Sequence, residues 1–217
     1  EKFFVTPVGR EPLQTPRTIE RPTIQRGEDF SPADPLVQKI VDSVVDAEIM
    51  SLWVDITDNP PEGTRFSSSQ GFHDAGVYCY DHFANLGLEA EYQDYHATYA
   101  PNSIGVQPGG VYPDRVYIIE GHLDDLPSSG LAPGADDNAS GTVTALAAAD
   151  ALACWGVKST VKYLAVTGEE QGLHGSNAYA DDALVRGEDI RGVINMDMNG
   201  WEGNGTPDPE DLDLNFN

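Results

Sequence analysis

The chain has 217 residues, 40% of them hydrophobic and 22% charged, which is enough to bury one full core and too apolar for a wholly disordered polymer. Its 36 Asp+Glu against 12 Lys+Arg leave a formal net charge of −24, a surface that repels phosphate backbones and argues against a nucleic-acid partner. No apolar run approaches the ~20 residues needed to span a bilayer, so no membrane partner is expected either.

The charge is unevenly placed. Residues 1–39 hold six basic and six acidic residues, and residues 1–35 carry six of the 15 prolines. Residues 1–31 therefore read as a Pro-rich arm or propeptide remnant, and residues 32–217 as a separate acidic domain. Leu36, Ile40, Val44, Val45, Ile49 and Leu52 share a helical stripe, predicting a helix over 32–56 with Ser31 before it and Asn59-Pro60-Pro61 beyond it. A second helix is expected over 70–86, burying Phe72, Val77, Tyr80 and Phe83 or a similar face, with Gly87 as its C-cap. Strands are expected at 88–95 and 103–106, then at 115–120 (RVYIIE), where β-branched and aromatic residues suit the interior of a sheet. The Ala-rich run 142–154 is a helix, 161–166 (VKYLAV) a strand, 176–185 a helix and 192–196 (GVINM) a strand. This rhythm implies an α/β fold with a mostly parallel or mixed central sheet and helices on both faces. Residues 201–217, with five carboxylates, two prolines and no basic residue, read as loop. Cys79 and Cys154 are too far apart for a CxxC motif; they either pair in an oxidising compartment or sit as two buried thiols.

Residues 121–141, GHLDDLPSSGLAPGADDNASG, concentrate a histidine and several carboxylates between a strand and a helix. Alone, such a stretch serves equally well as a solvated turn. Two later strand ends change its weight: Glu169 and Glu170 follow VKYLAV, and Asp197 follows GVINM. In a parallel sheet the carboxyl ends of the strands share one edge, so His122, Asp137, Glu169, Glu170 and Asp197 would converge. Carboxylates crowded in this way repel unless protonated or joined by a cation. Imidazole plus carboxylate, with no thiolate, is donor chemistry for zinc or a similar divalent ion.

Four blocks, GHLDD, APGADDNASG, TGEEQGLHGS and NMDMNG, resemble in order and spacing the motifs of the co-catalytic di-zinc aminopeptidases, secreted bacterial leucyl aminopeptidases among them. The resemblance covers about residues 37–200. It implies two zinc ions, with His122, Asp137, Glu170 and Asp197 as ligands and Asp137 bridging. It also implies Glu169 as the general base for a di-zinc-activated water, and Asp124 as the carboxylate that orients the His122 ring. The expected activity is removal of the N-terminal residue from peptides with a free N-terminus, in a secreted or periplasmic protein. Carboxypeptidases, glutaminyl cyclases and non-catalytic receptor modules share the fold. The scarcity of basic residues after Lys39 favours an aminopeptidase over a carboxypeptidase, which needs cations for a terminal carboxylate.

The family places a further His, which completes the second zinc, downstream of the NMDMNG-like block, and this chain reaches Asn217 without one. The expectation is a zinc-exopeptidase fold whose C-terminal part is missing, impaired as a fragment, with a C-terminal chain of the same protein as a partner. Asp125 and Asp136 read as surface or supporting acids, Asn138 as a loop-orienting or plain turn residue, and His73, His82, His96 and His174 as non-ligands.

Overall fold

The computed structural model describes residues 35–58, 63–126 and 133–200. The expectations for the N-terminal arm, for the helix signals at Ser31 and Asn59–Pro61, and for the acidic tail lie outside the described residues.

The first helical stripe is divided into α1 (Pro35–Val41) and α2 (Asp46–Thr57). Ser43 Oγ donates to the Ile40 carbonyl at 2.6 Å, and Val45 takes an extended conformation. Asp46 and Glu48 then lie in the first turn of α2, where carboxylates favour a new helix start. Periodicity alone could not show this interruption. Only the second half of the stripe reaches the core, through Leu52 and Ile56.

Helix α3 (Gln70–Asn85) begins at Ser69, whose hydroxyl accepts from Phe72 N at 3.1 Å. It ends at Gly87, φ +78°, with Leu88 N donating to the Phe83 carbonyl and Gly87 N to that of Ala84. Its buried face is Phe72, Ala75, Gly76, Cys79 and Phe83; Phe72 and Phe83 are buried as expected, whereas Val77 is exposed and Tyr80 half-buried. Gly105 of β2 decides the approach, because a Cβ there would stand 2.7 Å from Phe83 Cγ; Ser103 Oγ of the same strand donates to the Gly76 carbonyl at 2.8 Å.

Strands β1 (Glu89–Gln93), β2 (Asn102–Gln107) and β3 (Tyr112–His122) are followed by α4 (Ala139–Ala153), β4 (Ser159–Val166), α5 (His174–Arg186) and β5 (Asp189–Asn195). The sheet order is β1-β2-β4-β3-β5. The β4-β3-β5 ladders are parallel, and β1-β2 and β2-β4 are antiparallel, so the sheet is mixed. Successive β4 side chains serve opposite faces. Tyr163 and Ala165 join Phe83, Leu146 and Ile56 beneath α2, α3 and α4, whereas Leu164 and Val166 meet Tyr179 and Ala183 of α5. The α/β class with helices on both faces is thus the one found. The parallel core sets the carboxyl ends of β3, β4 and β5 side by side.

Cys79 is fully buried in α3 and Cys154 is exposed, and both are free. The structure therefore matches neither alternative for the pair. Burial pushes the Cys79 thiol up to about 12. A thiol-disulfide reagent at pH 8 should accordingly titrate Cys154 alone in the folded protein and both thiols in denaturant. Rapid reaction of both in the native state would contradict this packing.

Candidate metal centre

His122 is the last residue of β3, and its ring is buried. Nδ1 lies 3.1 Å from the main-chain oxygen of Asp124, which holds the ring and leaves Nε2 facing the cleft. There Asp137 Oδ1 stands at 3.2 Å, Asp197 Oδ1 at 3.6 Å and Glu169 Oε2 at 3.9 Å. The donor atoms of His122, Asp137 and Asp197 all lie within 4.8 Å of one another, the one such group of three among the described residues. One nitrogen and two carboxylates on the rim of an open cleft fit a zinc-like ion. Glu170 is not drawn into this group. Its carboxyl is pushed up to about 7, by burial first and then by the negative Asp137.

The Asp124 carboxylate does something the sequence did not suggest. It lies 3.8 Å from His122 Nδ1, beyond a hydrogen bond, so the main chain of Asp124 steadies the ring in place of its side chain. The carboxylate, fully buried, accepts from Glu169 N at 3.0 Å, Glu170 N at 3.1 Å and Ser67 Oγ at 3.1 Å. It thereby fastens the turn after β4 to the end of β3. Asn102, also buried, holds the base of that turn by accepting from Thr167 N at 2.9 Å and donating to the Gly175 carbonyl at 2.9 Å.

Asn138 ties the third strand end. Its Oδ1 accepts from Gly141 N at 2.8 Å, capping α4, while its Nδ2 donates to the Met196 carbonyl at 2.9 Å. One buried side chain thus links the loop bearing Asp137 to the strand end bearing Asp197. The Asp137–Asn138 peptide is cis. Asp136 is a supporting residue, receiving Gly200 N at 2.9 Å. Asp125 is fully buried against Arg65. His174 lies apart from the ligand group, its ring 6.1 Å from that of His96 and 5.9 Å from that of Tyr99. His82 pairs with Asp150 at 3.0 Å. Arg65, Ser67 and Asn102 went unnoticed in the sequence, since a polar loop and a short strand display no motif.

A cleft of about 280 Å³ opens beside the group, lined by His122, Glu169, Leu173, Asn177, Asn195 and Asp197. Among the described residues, no Lys or Arg lines it.

Against this geometry, the comparisons with known proteins are specific. Residues 102–207 match the family model described as Peptidase family M28. That segment contains His122, Asp124, Asp137, Glu169, Glu170 and Asp197, the residues on which the motif resemblance rested. A "Probable zinc metalloprotease" of Pyrenophora tritici-repentis is 39% identical over 104 residues, covering 46% of this chain and 22% of that protein. A "Probable leucine aminopeptidase" of Arthroderma otae is 33% identical over 117 residues, covering 49% of this chain and 31% of that protein. LapB from Legionella pneumophila superposes with a TM-score of 0.69 at 22% identity, over 80% of this chain and 48% of its own, a likeness of fold. The chain spans less than a third of the length of these curated relatives.

Burial alone would lower the His122 pKa, but its hydrogen bonds with Asp137 and Asp197 and the charges of Asp124 and Glu169 outweigh burial and raise it to about 10. A folded pKa above the ordinary value means that protonated His122 stabilises the metal-free fold fully below about 6.5, a contribution lost as pH rises through about 10. The His122 ring resonances of metal-free protein should therefore titrate near pH 10, and added zinc should displace that proton at neutral pH. A midpoint near 6.5 would contradict the arrangement.

Proposed function

We propose that this chain carries the catalytic centre of a zinc-dependent aminopeptidase. The observation that carries the reading is the convergence of His122, Asp137 and Asp197 at adjacent parallel strand ends, with Glu169 reaching the same imidazole nitrogen. The zinc and leucine aminopeptidase activities in the relatives' names support it. His122, Asp137 and Asp197 would hold one ion; Asp137 and Glu170 would hold part of a second. Zinc bound there would polarise the scissile carbonyl and acidify an attacking water.

The remaining work falls to the chain's own groups. Burial raises the Glu169 carboxyl above its ordinary range; His122 opposes the shift, while Asp124, Asp197 and Asp137 add to it. That direction suits a base that must take a proton near neutral pH and release it to the leaving amine. Asp124 holds the Glu169 and Glu170 main-chain nitrogens, so the base keeps its place relative to His122. The cleft is acidic and, among the described residues, has no cation for a terminal carboxylate, which favours a substrate presenting a free α-amino group.

Glu169→Gln should keep zinc bound and lower hydrolysis of an aminoacyl p-nitroanilide by about 10²–10⁴-fold. Asp137→Asn should lose both zinc and turnover. Unchanged turnover in Glu169→Gln would remove that residue as the base, and failure of the wild-type protein to take up zinc would overturn the reading as a whole.

A further inference from the structure

Arg65 is the largest fully buried side chain among the described residues, and it lies directly behind the metal ligands. Its Nε donates to the Leu123 carbonyl at 2.8 Å, one residue beyond His122. Its Nη1 donates to the Pro133 carbonyl and its Nη2 to the Gly134 carbonyl at 3.1 Å, on the loop that leads into Asp137. The main chain of Arg65 grips Asp125 in both directions: Arg65 N donates to Asp125 Oδ2 at 2.9 Å, and Asp125 N donates to the Arg65 carbonyl at 3.3 Å. Thr64 Oγ1 completes the grip by donating to Asp125 Oδ1 at 3.2 Å.

We infer that Arg65 is a positioning residue for metal binding: its buried guanidinium spans the strand end that carries His122 and the loop that carries Asp137, and sets their separation. This rests on the zinc reading of the site. The chemistry requires arginine. Three carbonyls on two separate segments are met at once by the rigid planar fork, whereas the single ammonium of lysine cannot reach both segments in fixed geometry. The charge matters too, because Arg65 is the buried cation beside fully buried Asp125. The space is closed on the loop side. A Cβ added at Gly134, φ +50°, would stand 2.8 Å from Arg65 Nη2 and 2.6 Å from both Asp125 Cβ and the Asp137 main-chain oxygen. The loop therefore reaches the guanidinium only because residue 134 has no side chain.

A merely structural role would cost stability without changing how the folded protein holds metal. The two can be separated by zinc affinity, measured by competition with a chromophoric chelator at a temperature where circular dichroism shows each variant folded. The set comprises wild type, Arg65→Lys, Gly134→Ala and, as a destabilised control remote from the site, Phe83→Leu. Arg65→Lys and Gly134→Ala should weaken zinc binding by about 10–100-fold, the size expected when groups supporting a metal ligand are lost, while Phe83→Leu binds as wild type. If Arg65→Lys does not fold, Gly134→Ala carries the same measurement, since it presses the loop away from the guanidinium and leaves residue 65 unchanged. Zinc affinity within twofold of wild type in the folded variants would overturn the assignment of Arg65. Wild-type protein that takes up no zinc would overturn the metal reading instead.

Discussion

Electrostatic repulsion at the ends of three parallel strands is the constraint on which this structure turns. Asp137, Asp197 and Glu169 approach one imidazole nitrogen, and burial together with the neighbouring carboxylates pushes the Glu169 and Glu170 carboxyls up. In the metal-free protein His122 answers part of that repulsion by holding its proton to about pH 10. A divalent cation would answer more of it, with the same atoms, because Nε2 and the two aspartate oxygens already lie within 4.8 Å of one another. The proposed ion would thus take the place of the imidazole proton.

Such a cluster cannot hold itself together, so buried hydrogen bonds made by Asp124, Asn138 and Arg65 supply the restraint. Asp124 draws two main-chain nitrogens of the Glu169 turn toward β3. Asn138 joins the start of α4 to the end of β5. Arg65 joins the segment after His122 to the loop before Asp137. All three side chains are fully buried, where each unpaired polar atom would carry a substantial desolvation cost. Their hydrogen bonds link the segments that bear His122, Asp137, Glu169 and Asp197, and His122, Glu169 and Asp197 line the cleft.

The residues proposed to hold metal could be grouped from the sequence because strand-end chemistry has a signature: an apolar run followed within three residues by His or an acid. His122, Glu169 and Asp197 each follow such a run, and their parallel strands bring them together. Asp137 was legible through its motif block. The supporting residues were not, for physical reasons. Arg65 acts on main-chain carbonyls, which no side-chain pattern reveals, and sits in a loop without periodicity. Asp124 was read as a partner of the ring beside it, but its carboxylate bonds residues 45 and 46 positions away. The fold was legible to a similar depth. The strands and α4 fell where β-branched runs and alanines placed them. The break between α1 and α2 depends on one serine hydroxyl and one extended valine, and the buried face of α3 on where glycine and alanine permit close approach. Apolar spacing registers neither.

The most direct test is the position of the metal itself. Crystals of the protein grown with zinc and measured on both sides of the zinc absorption edge should show an anomalous peak bounded by His122 Nε2 and the carboxylates of Asp137 and Asp197. No peak there, or zinc held only at other histidines such as His96 and His174, would contradict the account.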